Sequence, residues 1–326
     1  MANLQTKYLG LTLKNPIIVS SSGITSSIEK IKEAEKNGAA AVVLKSIFEE
    51  QINYEAGHLN KIGKDNAEAF DYLQGYVTSN SLEKHLALIK EAKKSVSIPV
   101  IVSINCFSDN KWTDFAKQFE DAGADAIEVN IYICPDDRKK SSTDIEKEYY
   151  NIIKKIVKKS KIPVSVKLGY QFTNLIQVVD TIKSLGVKGV VLFNRYYEPD
   201  INIDTMELTN NSVFSSESDI RFPLRWTAII SDQVKGIDIA SSTGVHNAEG
   251  VIKMILAGAD AVQICSILYT KGLGEIRKMI DGTEEWMKQR GFDSIDTIRG
   301  LMSYCSIPDP TVYQRSQFMK YFSNFE

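Results

Sequence analysis

Cysteine and histidine are scarce in this 326-residue sequence: four cysteines, at 106, 134, 265 and 305, and three histidines, at 58, 85 and 246. Four scattered thiols do not frame a disulfide scaffold, and no C-x-x-C pair is present to hold zinc. The histidines share no metal-ligand spacing. Neither sign of charge is in excess, because 39 Lys and Arg face 41 Asp and Glu for a net charge of −2. That excludes a chain-wide electrostatic grip on nucleic acid. Long apolar runs are also missing. The longest aliphatic stretch, Ala39 to Leu44, is far short of the roughly 20 residues of a membrane span. The opening MANLQTKYLG has no apolar core for a signal peptide. No linker or low-complexity tract divides the chain. What remains is 43% hydrophobic and 25% charged residues, an ordinary folded mix. The expectation is a cytoplasmic protein with a small-molecule ligand and neither a nucleic-acid nor a membrane partner.

One pattern recurs along the chain. An amphipathic helix ends in glycine and a short β-branched run follows. SIEKIKEAEKNG precedes AAAVVLKS, WTDFAKQFEDAG precedes ADAIEVN, LIQVVDTIKSLG precedes VKGVVLFN, and AEGVIKMILAG precedes ADAVQICS. Gly38, Gly123, Gly186 and Gly258 stand where a helix end needs a left-handed residue. The runs after them are almost wholly apolar, as strands buried on both faces of a parallel sheet should be. SIPVIVSIN and KIPVSVKLG start strands at proline, where no ladder bond is lost. With NPIIVSSSG and KGIDIASSTG the expected strands are eight: 16–20, 40–44, 99–104, 126–130, 163–168, 189–193, 237–241 and 261–264. Helices are expected at 81–96, 111–122, 144–160, 173–185, 223–234, 247–257 and 273–290. Eight alternating units favour an α/β fold of the (β/α)8 TIM-barrel type over an open doubly wound sheet. The whole chain, 1–326, reads as one domain, with about 292–326 as a C-terminal extension. Residues 46–80 and 194–222 are too long for ordinary βα loops, so they read as active-site insertions after strands 2 and 6.

In such a barrel the strand ends face the active site. Here they carry Ser21-Ser22-Gly23, Lys45-Ser46, Asn105-Cys106, Asn130, Lys167, Asn194-Arg195, Ser242-Thr243-Gly244 and Cys265-Ser266. Carboxylates are few and histidine is missing from the set, so metal-assisted hydrolysis is disfavoured. The small residues after strands 7 and 8 can cradle a phosphate with backbone amides, or can merely turn tight corners. Lys45 and Lys167 each end an apolar run. Burial there depresses an amine's pKa unless an anion faces it. Each could be a Schiff-base nucleophile, a counter-charge for a bound anion, or a structural ion-pair partner of a residue such as Glu128. Cys134, in NIYICPDD, could supply a thiolate or be a small packing residue. Residues 136–140 read as a solvated charged loop.

Taken in order, these stretches resemble the dihydroorotate dehydrogenase family, and also the related flavin domain of dihydropyrimidine dehydrogenase. The resemblance runs from residue 3 to about 290. YLGLTLKNPIIVSSSG resembles the family's first strand and turn, and LKS at 44–46 its Lys-Ser or Lys-Thr after strand 2. WTDFAKQFEDAGADAIEVN is similar to helix 3 and strand 4, and VKLG at 166–169 to the strand bearing the flavin lysine. SSTGVHNAEGVIKMILAGADAVQICSILYTKG is similar to the phosphate-binding stretch. The resemblance implies an FMN barrel, class 1-like, in which Ser22, Gly23, Lys45, Ser46, Asn105, Asn130, Lys167, Asn194, Thr243, Gly244, Cys265 and Ser266 surround the cofactor. Lys167 would face the flavin edge that gains negative charge on reduction. Lys45 would lie between flavin and substrate. Cys134 would remove the C5 proton of dihydroorotate while C6 passes hydride to FMN N5. The resemblance also implies a homodimer in pyrimidine biosynthesis, and a soluble acceptor such as fumarate or a separate partner subunit.

The substrate half departs from the family. Three residues separate Asn130 from Cys134, where the family has two. Asp136 replaces an asparagine. The asparagine-rich loop has become QGYVTSN, leaving Asn80, and the glycine-rich loop SSESDIRFP. Arg195 stands beside Asn194. Substrate contacts are thus expected from Lys45, Asn80, Asn130, Asp136, Asn194 and Arg195. Three other functions remain open: an FMN oxidoreductase for another dihydropyrimidine or enone-like ring, a Schiff-base lyase or aldolase, and a non-catalytic flavin-binding protein.

Overall fold

The computed structural model describes residues 2–48, 67–106, 115–196, 198–210 and 213–314, with side chains omitted at 48, 67–80, 106 and 210. Strands are β1 (Thr6–Tyr8), β2 (Leu11–Leu13), β3 (Ile17–Val19), β4 (Ala41–Val43), β5 (Ile47–Phe48), β6 (Val100–Cys106), β7 (Ala126–Ile131), β8 (Val164–Leu168), β9 (Gly189–Leu192), β10 (Pro199–Asn202), β11 (Glu207–Asn210), β12 (Asp238–Ser242) and β13 (Ala261–Ile264). Helices are α1 (Ile28–Lys36), α2 (Ala67–Ser95), α3 (Phe115–Asp121), α4 (Ser142–Lys159), α5 (Leu175–Ser184), α6 (Arg221–Gln233), α7 (Ala248–Ala257), α8 (Ser266–Lys271), α9 (Glu275–Gln289), α10 (Ile295–Ile298) and α11 (Thr311–Gln314).

Eight parallel strands close a ring in the order β3-β4-β6-β7-β8-β9-β12-β13, and β5 adds to the upper half of β6. The expected (β/α)8 barrel is therefore present, with each of the eight expected strands in place. Period-2 alternation divides the side chains. Ile127, Val129 and Ile131 of β7 join the large cluster under the helices, while Ala126 joins a second cluster inside the barrel. Helix ends follow the sequence pattern. Gly38, Gly123, Gly186 and Gly258 take φ between +97° and +112°.

The β1–β2 hairpin plugs the N-terminal mouth. Its turn, Leu9-Gly10, has φ +57° and +75°, as a tight two-residue hairpin turn requires. Tyr8, Leu9 and Leu13 pack against Ile18, Val43, Ile101 and Val191 in the barrel interior. The C-terminal stretch folds back on the same end. Arg299 Nη2 donates to Thr6 Oγ1 at 2.6 Å, and the Cys305 N–H to Asp232 Oδ2 at 2.6 Å.

The two expected insertions differ from their sequence outline. Helix α2 starts at Ala67, earlier than the expected 81, and residues 49–66 lie outside the described set. The start is hidden because Gly75 and the polar YVTSN stretch dilute any apolar period there. The insertion after β9 forms the antiparallel pair β10–β11, with Ile201 opposite Leu208.

Candidate active site

The site begins with what the barrel interior leaves polar. Above the apolar plug, β7 turns Glu128 inward, β8 Lys167, β13 Gln263 and the residue after β3 Ser20. All four are buried. Lys167 Nζ donates to Ser20 Oγ at 3.0 Å and to Gln263 Oε1 at 3.0 Å. Gln263 Nε2 donates in turn to Glu128 Oε2 at 2.5 Å, and Lys167 Nζ lies 3.7 Å from Glu128 Oε1. An ammonium this deep needs such partners. The structural ion pair and a site lysine are thus the same residue.

Over this layer an open cleft of about 180 Å3 spans the C-terminal ends of β3, β8, β9, β12 and β13. It brings together Lys167, Asn194, Arg195, Thr243, Gly244, Cys265 and Ser266. Asn194 Nδ2 donates to Asn130 Oδ1 at 3.0 Å, so two carboxamides stand side by side at the cleft's edge. Asn105 is directly paired with Asn130 in the β6–β7 register. Cys265 is pushed to a higher pKa by burial, against the opposing influence of Lys167 and a hydrogen bond with Ser22.

The far end of the cleft is built by turns. Thr243 and Gly244 both have φ +80°, rare for the β-branched Thr243 and a strain of about 1–3 kcal/mol. Thr243 Oγ1 donates to the Phe193 carbonyl at 3.1 Å and holds the turn. Gly244 is fixed by close approach, because a Cβ there would lie 2.1 Å from the Ile220 nitrogen. Ser215 reaches in from the insertion. Its N–H donates to Ser266 Oγ at 3.0 Å, and its hydroxyl lies 3.1 Å from Ser266 Oγ and 3.0 Å from His246 Nε2. Burial lowers the His246 pKa, opposed by Glu217 and Asp219.

Other expected site residues lie apart from this cleft. Lys45 is exposed rather than desolvated, although its neighbours Leu44, Ser46 and Ile47 are buried. With Ser46 and Lys84 it lines a second, larger cleft of about 740 Å3 between α1, β5 and α2. Serine hydroxyls join the two clefts: Ser21 Oγ is 3.0 Å from Ser46 Oγ, which is 2.7 Å from Ser103 Oγ. Ser22 caps the short turn that begins at Gly23, accepting from the Ile24 N–H. Cys134 and Asp136 are exposed in the loop after β7. A hydrogen bond to Cys134 pushes the Tyr132 phenol upward, and the Tyr132 ring packs 4.0 Å from that of Tyr196. Asn80 falls in α2, with its side chain outside the described set, as are His58 and its surroundings. Ser20, Gln263, Ser215 and His246 escaped sequence reasoning. For Gln263 a signal existed, since one amide interrupts the apolar run ADAVQICS.

A parallel barrel with a buried ammonium at one end of a strand-end cleft and a hydroxyl-lined turn at the other has its polar groups gathered where (β/α)8 enzymes carry their active sites. Comparison with known proteins narrows this. The chain matches the dihydroorotate dehydrogenase family over residues 3–287 and belongs to it. It is an oxidoreductase of the type that acts on a CH–CH group. It is 27% identical over 310 residues to a protein of Thermoplasma volcanium named dihydroorotate dehydrogenase B (NAD(+)), catalytic subunit, covering 92% of this chain and 99% of the relative. A protein of the same name from Methanocaldococcus jannaschii is 26% identical over 317 residues, covering 91% and 97%.

Proposed function

We propose that the chain is an FMN-dependent dihydroorotate dehydrogenase working in the cytoplasm in pyrimidine synthesis. The observation that carries the reading is the buried Lys167 ammonium facing the cleft. The donor set fits FMN. Lys167, Ser20 and the Asn130–Asn194 carboxamides suit a ring with alternating donors and acceptors. Thr243, Gly244, Ser266 and Ser215 suit an anionic phosphate at the other end. When bound, FMN supplies the two-electron acceptor for the substrate's C6–H bond. The protein's own residues do the rest. Arg195, lining the cleft beside Asn194, receives the substrate carboxylate. Asn130 and Asn194 hold its ring, and the Cys134 thiolate takes the C5 proton once the exposed loop after β7 folds over the substrate.

Cys134→Ala is expected to keep FMN bound while slowing flavin reduction by dihydroorotate roughly 10²- to 10⁴-fold, the range of general base catalysis. Unchanged single-turnover reduction would remove Cys134 from the chemistry. Dihydrouracil tried in the same assay tests the alternative ring, which the carboxylate of Asp136 beside Cys134 favours. The named relatives are catalytic subunits of NAD(+)-linked enzymes. That supports a separate subunit, rather than fumarate, as the route for electrons out. The catalytic chain is taken to be a homodimer, which light scattering checks.

A further inference from the structure

We propose that Glu128 is a positioning residue that sets the charge balance under the cofactor, and so holds the flavin's reduction potential down. The inference rests on the FMN reading above. Three observations carry it. Glu128 is 1% exposed and stands on β7 one inward position below Asn130, so it cannot touch a ligand in the cleft. One of its oxygens, Oε2, is committed to Gln263 Nε2 at 2.5 Å, while Oε1 is buried without a hydrogen-bond partner among the described residues. The Lys167 ammonium lies 3.7 Å from that oxygen, on the cleft side.

Two consequences follow from this stacking. The first is orientation. A carboxylate accepts only, so it fixes the Gln263 amide with Nε2 downward and Oε1 upward. Oε1 then accepts from both Lys167 and Ser20, which aims the ammonium. A flipped amide would present its N–H groups to Lys167 and fail. The second is charge. The Lys167–Glu128 pair is neutral as a unit, in a layer where fields are weakly screened. A lone ammonium would favour the electron-rich cofactor strongly; one backed by a carboxylate favours it less. A flavin held in the cleft would gain negative charge when it takes two electrons from the dihydropyrimidine, which becomes the unsaturated ring, and Lys167 would be the buried cation that meets that charge. Glu128 opposes that charge through the lysine. Tyr8 lies beneath, fully buried, with its phenol pushed up by burial first and by the Glu128 carboxylate second, so it adds no charge of its own.

The test is the midpoint potential of bound FMN in the full-length wild type and in Glu128→Gln, which keeps the shape and can still accept from Gln263. The expected result is a reduced form favoured at least tenfold more in the variant, about 30 mV higher for a two-electron couple. FMN affinity of the oxidised protein should change less than threefold. Glu128→Asp, which keeps the charge but draws it back, should move the potential the same way by less, and serves if Glu128→Gln does not fold. An unchanged or lowered potential with FMN bound overturns the role of Glu128 and leaves the FMN reading standing. A wild type that takes up no FMN overturns both.

Discussion

A buried ammonium is tolerated only where acceptors and counter-charge meet it. Lys167 has two neutral acceptors, Ser20 and Gln263, and one carboxylate. Removing the cation alone strands Glu128. Lys167→Met should therefore destabilise the fold by about 3–5 kcal/mol. Lys167→Met with Glu128→Gln should recover part of that loss. Urea denaturation of the two variants checks it, and a double variant no more stable than the single one would contradict the pairing. Arg195 makes a second prediction at this scale. Its guanidinium donates to the Val213 carbonyl at 2.8 Å, which orders it at the cleft edge. If it receives the substrate carboxylate, Arg195→Leu loses a charged hydrogen bond worth about 1.5–3 kcal/mol. KM for dihydroorotate should then rise at least tenfold with kcat little changed. An unchanged KM would place the carboxylate elsewhere.

Elements at the barrel's floor are joined by one acidic residue. Asp260 leads into β13, accepts from the Ile239 N–H at 2.8 Å and lies 3.5 Å from Arg299 Nε. Arg299 ties α10 to the β1 residue Thr6. Burial raises the Asp260 pKa from 3.8 to about 6, with Ile239 and Arg299 pulling the other way. The folded chain thus holds this proton where the unfolded chain has lost it. Stability should fall as pH rises from about 4 to about 6, by at most about 3 kcal/mol from this group. Asp260→Asn should flatten that slope in a set of pH-dependent melts; an equally steep slope would mean another group is responsible. The β10–β11 hairpin contrasts with the floor. Ile201, Ile203, Met206 and Leu208 are 63–86% exposed. Isolated two-stranded pairs are marginal in water. Ile201→Ser with Leu208→Ser should change stability by no more than about 0.5 kcal/mol. A larger fall in the melting temperature would show that this face packs against something.

At the scale of the molecule, the barrel was legible because its signals were redundant. Helix, left-handed glycine and apolar run came four times over, and Pro99 and Pro163 marked two further strand starts. The β1–β2 plug was not legible, since two three-residue strands carry no period. Neither was the start of α2, where Gly75 weakens the pattern. Strand-end residues on β8, β9, β12 and β13 were placed by counting alone and do converge. Lys45 was expected to be desolvated and is exposed, because an apolar run says where a strand is, not which way the residue after it faces. Ser215 and His246 meet only through the insertion after β9, a long-range closure that no local pattern encodes.

The claim on which the rest depends is that the cleft above Lys167 takes FMN and that dihydroorotate reduces it. The direct measurement is the visible absorbance of the purified protein supplied with FMN, freed of unbound cofactor, then mixed with dihydroorotate without oxygen. The account predicts a yellow protein with one flavin per chain that bleaches on mixing. A protein that keeps no flavin, or one whose flavin stays yellow with dihydroorotate, would contradict it.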